Sequence, residues 1–276
     1  MNMQSIGSKG LEIPRLGFGT FRMPGDDCKA VVESALSVGY RHIDTAAMYD
    51  NEAAVGRAIN ASGVARKDIF LTTKVWHDQL APVALVESFK ISLEKLGADY
   101  VDLFMVHWPS PSMSMPHVLS AMQSLLDQGL IRGLGVCNFN MPMLREAIDQ
   151  LGAPIAAVQV EYHPFLDQST LLAYLRARNI PLVAYAPLAQ GRAAQDPVLT
   201  QIGAKYGVSA AQVAIAWLMG QEGVIAIPKA QRRESQLSNL QALSVTLDDE
   251  DRHLIAGLPK DQRFVQPPFA PDWDAQ

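Results

Sequence analysis

Cysteine is nearly missing from this chain. The two that occur, Cys28 and Cys137, lie far apart and in no Cys-x-x-Cys pair, which excludes a disulfide framework and a zinc knuckle and fits a reducing compartment. Glycine motifs fail as well. Gly17-Phe18-Gly19-Thr20-Phe21-Arg22 and Gly133-Leu134-Gly135-Val136-Cys137-Asn138 each lack the third glycine of the Rossmann fingerprint, and no P-loop occurs. No apolar run reaches the roughly 18 residues that cross a bilayer, and the first residues hold no apolar stretch of signal-peptide length. Positive charge is in deficit too. The 23 Lys and Arg against 28 Asp and Glu leave a formal charge of −5, so the broad basic face that nucleic acid or an anionic membrane demands is lacking. These absences predict a cytoplasmic protein with neither nucleic acid nor membrane as partner.

What the chain does hold is core material: 49% of its residues are hydrophobic and 18% charged, a globular balance with no signature of disorder. Short apolar runs bounded by turn residues recur at 16–20, 40–45, 69–74, 100–107, 131–138, 157–161, 181–186 and 224–228. Their starts recur about every 30 residues, the size of a strand-helix-strand unit. The run from Val101 to Val106 is nearly all apolar, as a parallel strand covered on both faces should be. Helical patterns fill the gaps. Ser209 caps one helix, with Gln212 completing a capping box before an apolar stripe through Val213, Trp217 and Leu218. Thr246 opens another, with acids in its first turn, Leu254 and Leu258 on one side, and Gly257 with Pro259 at its end. Both are expected as surface-packed coverings. Residues 196–207 read as an additional helix in the long stretch between Pro187 and Val224. No linker or shift in composition divides the chain, so the pattern predicts one α/β domain over residues 1–276, a (β/α)8 TIM barrel with its active site at the C-terminal ends of the strands. An open doubly wound sheet is the competing architecture.

In such a barrel the polar residues that end apolar runs are the ones to examine. Asp44 leaves the second strand, with Tyr49 in the loop that follows. Lys74 ends the third. His107 and Trp108 emerge from the fourth. Taken singly each has a plainer explanation: a turn aspartate, a half-buried aromatic, a solvated lysine, a core histidine. Together at one rim they form a proton-donating centre. A tyrosine hydroxyl is a poor acid at neutral pH, and a nearby ammonium favours its ionised form and lowers its pKa. Lys74 is placed to supply that charge, Asp44 to hold the lysine, and His107 to hydrogen-bond a carbonyl undergoing reduction.

These segments resemble the aldo-keto reductase superfamily over nearly the whole chain. The resemblance is carried by Asp44 to Gly56 (DTAAMYDNEAAVG), Thr72 to Trp76 (TTKVW), Val106 to Pro109 (VHWP), Gly133 to Phe139 (GLGVCNF), Gln159 to Pro164 (QVEYHP), Tyr185 to Gly191 (YAPLAQG) and Ile227 to Leu240 (IPKAQRRESQLSNL). Within the family, DNEAAVGRAI, YVDLFMVHWPSP and APDWD resemble the bacterial 2,5-diketo-D-gluconate reductases that also act on methylglyoxal. The resemblance implies NADPH-dependent reduction of small aldehydes and ketones, with Tyr49, Lys74, His107 and Asp44 as the catalytic tetrad and no metal. It further implies that Asn138 and Gln159 hold the nicotinamide carboxamide and that Tyr185 stacks on its ring. Gly19, Thr20 and Phe21, with Asp44, would lie near the nicotinamide ribose, and Pro187 and Leu188 along the pyrophosphate. Lys229 and Arg232 would meet the 2′-phosphate and Asn239 the adenine. Trp76, Trp108 and Trp273, with His107, would wall the pocket of a small carbonyl substrate, and the expected state is a monomer.

Three positions depart from the family pattern: Cys137 stands where serine is usual, Ala230 where serine is common, and Ser235 where a second phosphate-binding arginine is usual. Two other functions compete. A metal-dependent barrel hydrolase would use His42, Asp44, His107 and His163 as ligands, but its usual His-x-His strand end and any His-Glu-x-x-His are missing. A barrel that binds nucleotide without turnover is opposed by the complete tetrad.

Overall fold

The computed structural model describes residues 4–275; the expected domain span 1–276 has its first three residues and its last outside that range. Two short strands, β1 (Ser5–Ser8) and β2 (Leu11–Pro14), form an antiparallel hairpin. Eight parallel strands follow in one curled sheet: β3 (Phe18–Gly19), β4 (His42–Asp44), β5 (Phe70–Val75), β6 (Leu103–Val106), β7 (Leu134–Cys137), β8 (Ile155–Glu161), β9 (Leu182–Tyr185) and β10 (Val224–Ala226). Each pairs with the next in the chain. The two edges also meet, for Leu16 bridges Ala226 in parallel, with Gly17 N donating to Ala226 O at 2.8 Å and Ala226 N to Arg15 O at 2.9 Å. This architecture is consistent with a (β/α)8 fold. Gly17 makes the closure sterically possible, because a Cβ there would lie 2.7 Å from His42 Nδ1 and 2.8 Å from Ile227 Cγ2.

Ten helices cover the sheet among the described residues: α1 (Gly25–Val38), α2 (Glu52–Ala61), α3 (Pro82–Leu96), α4 (Met115–Asp127), α5 (Met141–Leu144), α6 (Ser169–Arg176), α7 (Pro197–Tyr206), α8 (Ala210–Met219), α9 (Arg233–Gln241) and α10 (Asp249–Ala256). One large apolar cluster fills the space between sheet and helices, and a smaller one, including Phe70, Leu103, Met105, Ala157, Val183 and Ile225, fills the interior of the curl. Leu11 and Ile13 of the hairpin join that interior cluster, and Ser8 Oγ donates to Ala156 O at 2.7 Å. The hairpin therefore plugs the end where the strands begin. The end where they finish stays free for side chains from the loops.

All eight expected strands are present, and residues 196–207 do hold the additional helix α7. Three details differ. The hairpin is unforeseen, because β1 is mostly exposed and carries no alternation strong enough to read. The helix expected to open at Thr246 is capped instead by Asp248, whose side chain accepts from Asp251 N while Asp251 reaches back to Asp248 N. α8 has its expected capping box of Ser209 and Gln212, yet it is buried on nearly every face and only Trp217 of the expected stripe is half open. Packing under α7 and α10 accounts for the difference.

Candidate active site

Adjacent strands deliver the four expected side chains to one place. Asp44 ends β4, Lys74 sits near the end of β5, and His107 follows β6 directly, while Tyr49 closes a short helical turn, Ala47–Tyr49, after β4. Lys74 is fully buried. Its Nζ donates to Asp44 Oδ1 at 2.5 Å and to Thr45 O at 2.9 Å. Asp44 Oδ2 accepts from Gln159 Nε2 at 2.9 Å, which brings β8 into the same network. Lys74 Nζ lies 5.2 Å from the centre of the Tyr49 ring, and the Tyr49 and His107 rings meet edge to face with centroids 5.4 Å apart. The buried ion pair leaves no charge unpaired, and Thr45 O and Gln159 occupy further hydrogen-bonding positions, as burial of two charges demands.

Electrostatics correct one expectation. Burial, the largest influence on the Tyr49 phenol, pushes its pKa up to about 12, and Lys74 only opposes that rise. The ammonium does not lower the phenol below its ordinary value. Lys74 itself is raised above the usual lysine value, since Asp44 and Tyr49 outweigh the burial that would discharge it, so it remains a cation. Burial together with Lys74 and His77 holds His107 well below the usual imidazole range, so its ring is neutral at physiological pH. Its Nδ1 is buried and has no hydrogen-bond partner among the described residues.

Around this centre β7, β8 and β9 contribute amides and a second phenol. Asn138 Nδ2 donates to His107 O at 2.9 Å, and Asn138 Oδ1 accepts from Tyr185 Oη at 2.8 Å. Asn138 and Ala186, the residues just past β7 and β9, hold left-handed conformations with φ of 60° and 47°. Non-glycine residues rarely adopt that conformation, and strain of this kind gathers at functional sites. Thr20 is buried with its hydroxyl on Asp44 O, Phe21 is exposed and packs on Tyr49 with centroids 5.0 Å apart, and Gly19 lies where a Cβ would strike Ile227 O. Pro187 is buried and Leu188 half-buried behind Tyr185.

Aromatic side chains wall the other side of the mouth. Trp76 lies 5.1 Å from His107, and Trp108 lies 6.1 Å from Trp273, centroid to centroid. Phe269, which sequence reasoning missed, bridges them at 5.7 Å from both Trp76 and Trp108 and stacks on His77 at 4.1 Å. His77 is thus half-buried against this wall. Lys229 follows β10 and Arg232 precedes α9, both exposed, while Asn239 is buried. Arg22, a second residue missed, is near enough to Lys229 to depress its pKa alongside burial, and among the described residues none of Arg22, Lys229 and Arg232 makes a salt bridge. Neither Arg22 nor Phe269 announces itself in sequence, because each acts through a loop of no periodicity.

The supposed metal ligands are otherwise engaged. His42 nitrogens face Pro14 O and Thr72 Oγ1, and His163 Nε2 faces Glu161. Among the described residues no group of three or more His, Cys, Asp or Glu side chains is arranged to hold a metal ion.

Comparison with known sequences now bears on this geometry. The profile of the aldo/keto reductase family matches residues 15–259. The chain belongs to the aldo/keto reductase family. It is 43% identical over 268 residues to methylglyoxal reductase DkgB of Escherichia coli O157:H7, covering 96% of this chain and 100% of that protein. It is 38% identical over 255 residues to glyoxal reductase of Bacillus subtilis, with 92% of each chain covered. Among solved structures, a protein provisionally assigned as 2,5-diketo-D-gluconic acid reductase B superimposes with a TM-score of 0.96 at 41% identity, over 99% of this chain and 98% of that one. An aldo/keto reductase of this kind is an oxidoreductase, and the family generally uses NADP(H).

Proposed function

We propose that this aldo/keto reductase reduces small aldehydes and ketones to alcohols at the C-terminal mouth of its barrel, with NADPH as reductant and Tyr49 as the proton donor. Methylglyoxal, glyoxal and 2,5-diketo-D-gluconate, the compounds named for its relatives, are the first substrates to consider. The observation that carries the reading is the Tyr49 phenol set against a fully buried lysine and a neutral histidine at one rim.

The residues present fit a dinucleotide phosphate. Arg22, Lys229 and Arg232 are cations without carboxylate partners among the described residues, and the first turn of α9, whose cap Arg232 offers no side-chain hydrogen bond, leaves backbone N–H groups free for an anion. Lys229 and Arg232 would take the 2′-phosphate and Asn239 would lie toward the adenine. Asn138 and Gln159 would hold the carboxamide beside Tyr185, with Gly19, Thr20 and Phe21 near the ribose and Pro187 and Leu188 along the pyrophosphate. When bound, NADPH supplies the hydride.

The chain's own groups then manage the oxygen. His107, neutral, donates one hydrogen bond to the carbonyl oxygen without giving up charge. Tyr49 Oη releases its proton to that oxygen as negative charge develops there, a transfer favoured because an alkoxide is a far stronger base than a phenolate. Lys74 remains an ammonium facing the phenolate left behind, held by Asp44 and Thr45 O. Trp76, Trp108, Phe269 and Trp273 exclude water from the reacting carbon. A panel of methylglyoxal, glyoxal, aromatic aldehydes and keto-sugar acids, followed by loss of NADPH absorbance with and without EDTA, tests the reading. Turnover insensitive to EDTA is expected, and turnover of none of them would overturn it.

A further inference from the structure

Strand β8 carries a carboxylate that the reaction above does not use. Side chains two apart on a strand share a face, so Glu161 stands directly beyond Gln159, on the same side of the sheet as the Asp44 network. It is fully buried. Its Oε1 accepts from His163 Nε2 at 3.1 Å and from Phe264 N at 2.8 Å, and its Oε2 accepts from Val265 N at 3.0 Å. Two successive backbone N–H groups of the C-terminal segment are therefore bound to one carboxylate. Upstream of them, residues 260–262 are stitched to the loop after β8 by Asp167 N on Lys260 O and Gln262 N on Phe165 O. Downstream, among the described residues, the next hydrogen bond to the barrel comes from Asn140 Nδ2 on Asp272 O at 2.9 Å. Between those points the segment crosses the mouth and sets Phe269 between Trp76 and Trp108, while Arg263 lies 3.9 Å over the Trp273 ring.

We infer that Glu161 is a positioning residue for substrate: by anchoring Phe264 N and Val265 N it fixes the aromatic strap, and so sets how well a bulky carbonyl is held while leaving a three-carbon one nearly unaffected. The inference rests on the mouth being the substrate site, as proposed above. A neutral amide in place of the carboxylate would turn its NH2 group toward one of the two backbone donors, and a buried donor left without an acceptor is costly. The strap would keep only one of its two bonds to residue 161, beside the longer contact of Gln190 Nε2 with Phe264 O at 3.4 Å. A substrate large enough to touch Phe269 and Trp273 would feel that loss, whereas methylglyoxal, held chiefly by Tyr49 and His107, would not.

The test compares 4-nitrobenzaldehyde with methylglyoxal and follows amide hydrogen exchange along residues 264–275. In the wild-type protein Phe264 and Val265 amides are expected to be the best protected of the strap, a measurement that needs no variant. Glu161→Gln should raise the KM for 4-nitrobenzaldehyde about tenfold and that for methylglyoxal less than about threefold, with exchange in the strap faster. Phe269→Ala should raise the KM for 4-nitrobenzaldehyde at least as much, and the double variant should be no worse for that substrate than the more impaired single variant, because both act through one segment. Equal KM changes for the two aldehydes, additive effects, or wild-type Phe264 and Val265 amides exchanging as fast as open chain would each overturn the proposal. If neither aldehyde is turned over, the reductase reading fails, and the exchange data still decide whether Glu161 anchors the strap.

Discussion

At Tyr49 two influences oppose each other, and their order of size decides what the phenol does. Burial raises its pKa to about 12 and Lys74 pulls it down by less, so the group stays protonated across neutral and moderately alkaline pH. Above its pKa a phenol is ionised and has no proton to give. The turnover number should therefore hold through about pH 10, where an unperturbed tyrosine would already be half ionised; a decline centred near pH 9 would place the proton donor elsewhere. Lys74→Met should be nearly inactive, because it removes the charge facing the phenolate and leaves Asp44 buried without its cation. Asp44→Asn should be damaged less, since it loosens the lysine without deleting its charge; equal damage in steady-state turnover would contradict that order. Which four residues meet at the rim is legible in the sequence, because strand ends and residue chemistry are both local. The direction of the tyrosine's shift is not. It depends on how much protein surrounds the hydroxyl, and only the packed structure decides that.

Strands and loops repeat the same division. Eight apolar runs gave eight strands, and the polar residues that ended them arrived at one rim, since a strand's length and exit are set by neighbours in the chain. The N-terminal hairpin and the path of the C-terminal strap ahead of Trp273 escaped notice because their places are fixed by distant partners: Ala156 for Ser8, and Glu161 for Phe264 and Val265. The start of α9 lies between these cases. The resemblance points to Lys229 and Arg232 as proposed phosphate ligands, whereas nothing in the sequence points to Arg22, which the fold brings near Lys229 across the closure of the sheet. Replacing Lys229 and Arg232 together with alanine should raise the NADPH dissociation constant at least about tenfold, as expected when hydrogen bonds from two charged groups to the 2′-phosphate are lost. NADH, which lacks that phosphate, should bind almost as before. Fluorescence titration of both cofactors decides the matter, and equal weakening would mean that these residues support the loop or the pyrophosphate instead.

For the molecule as a whole, the buried histidines tie stability to acid. His42 and His107 are both held below the ordinary imidazole value, burial being the main cause, so between their folded values and about 6.5 the unfolded chain binds more protons than the folded one. Stability is then complete above about pH 6.5 and declines as pH falls below it. Glu52, whose carboxyl is raised by burial beside Thr73 and Ser92, pulls the other way, so the contribution of one histidine is best read by difference. The melting temperature should drop between about pH 7 and pH 5, and less steeply in His107→Asn; parallel curves would show that His107 titrates alike folded and unfolded. Fold, ion pair and aromatic wall all converge on the proton that Tyr49 is proposed to give. The most direct measurement is single-turnover reduction of methylglyoxal by Tyr49→Phe alongside a titration of its NADPH affinity. The account predicts a loss of at least about 10²-fold in the chemical step with NADPH binding intact. A variant that keeps more than about a tenth of the wild-type rate, with chemistry rate-limiting, would contradict it.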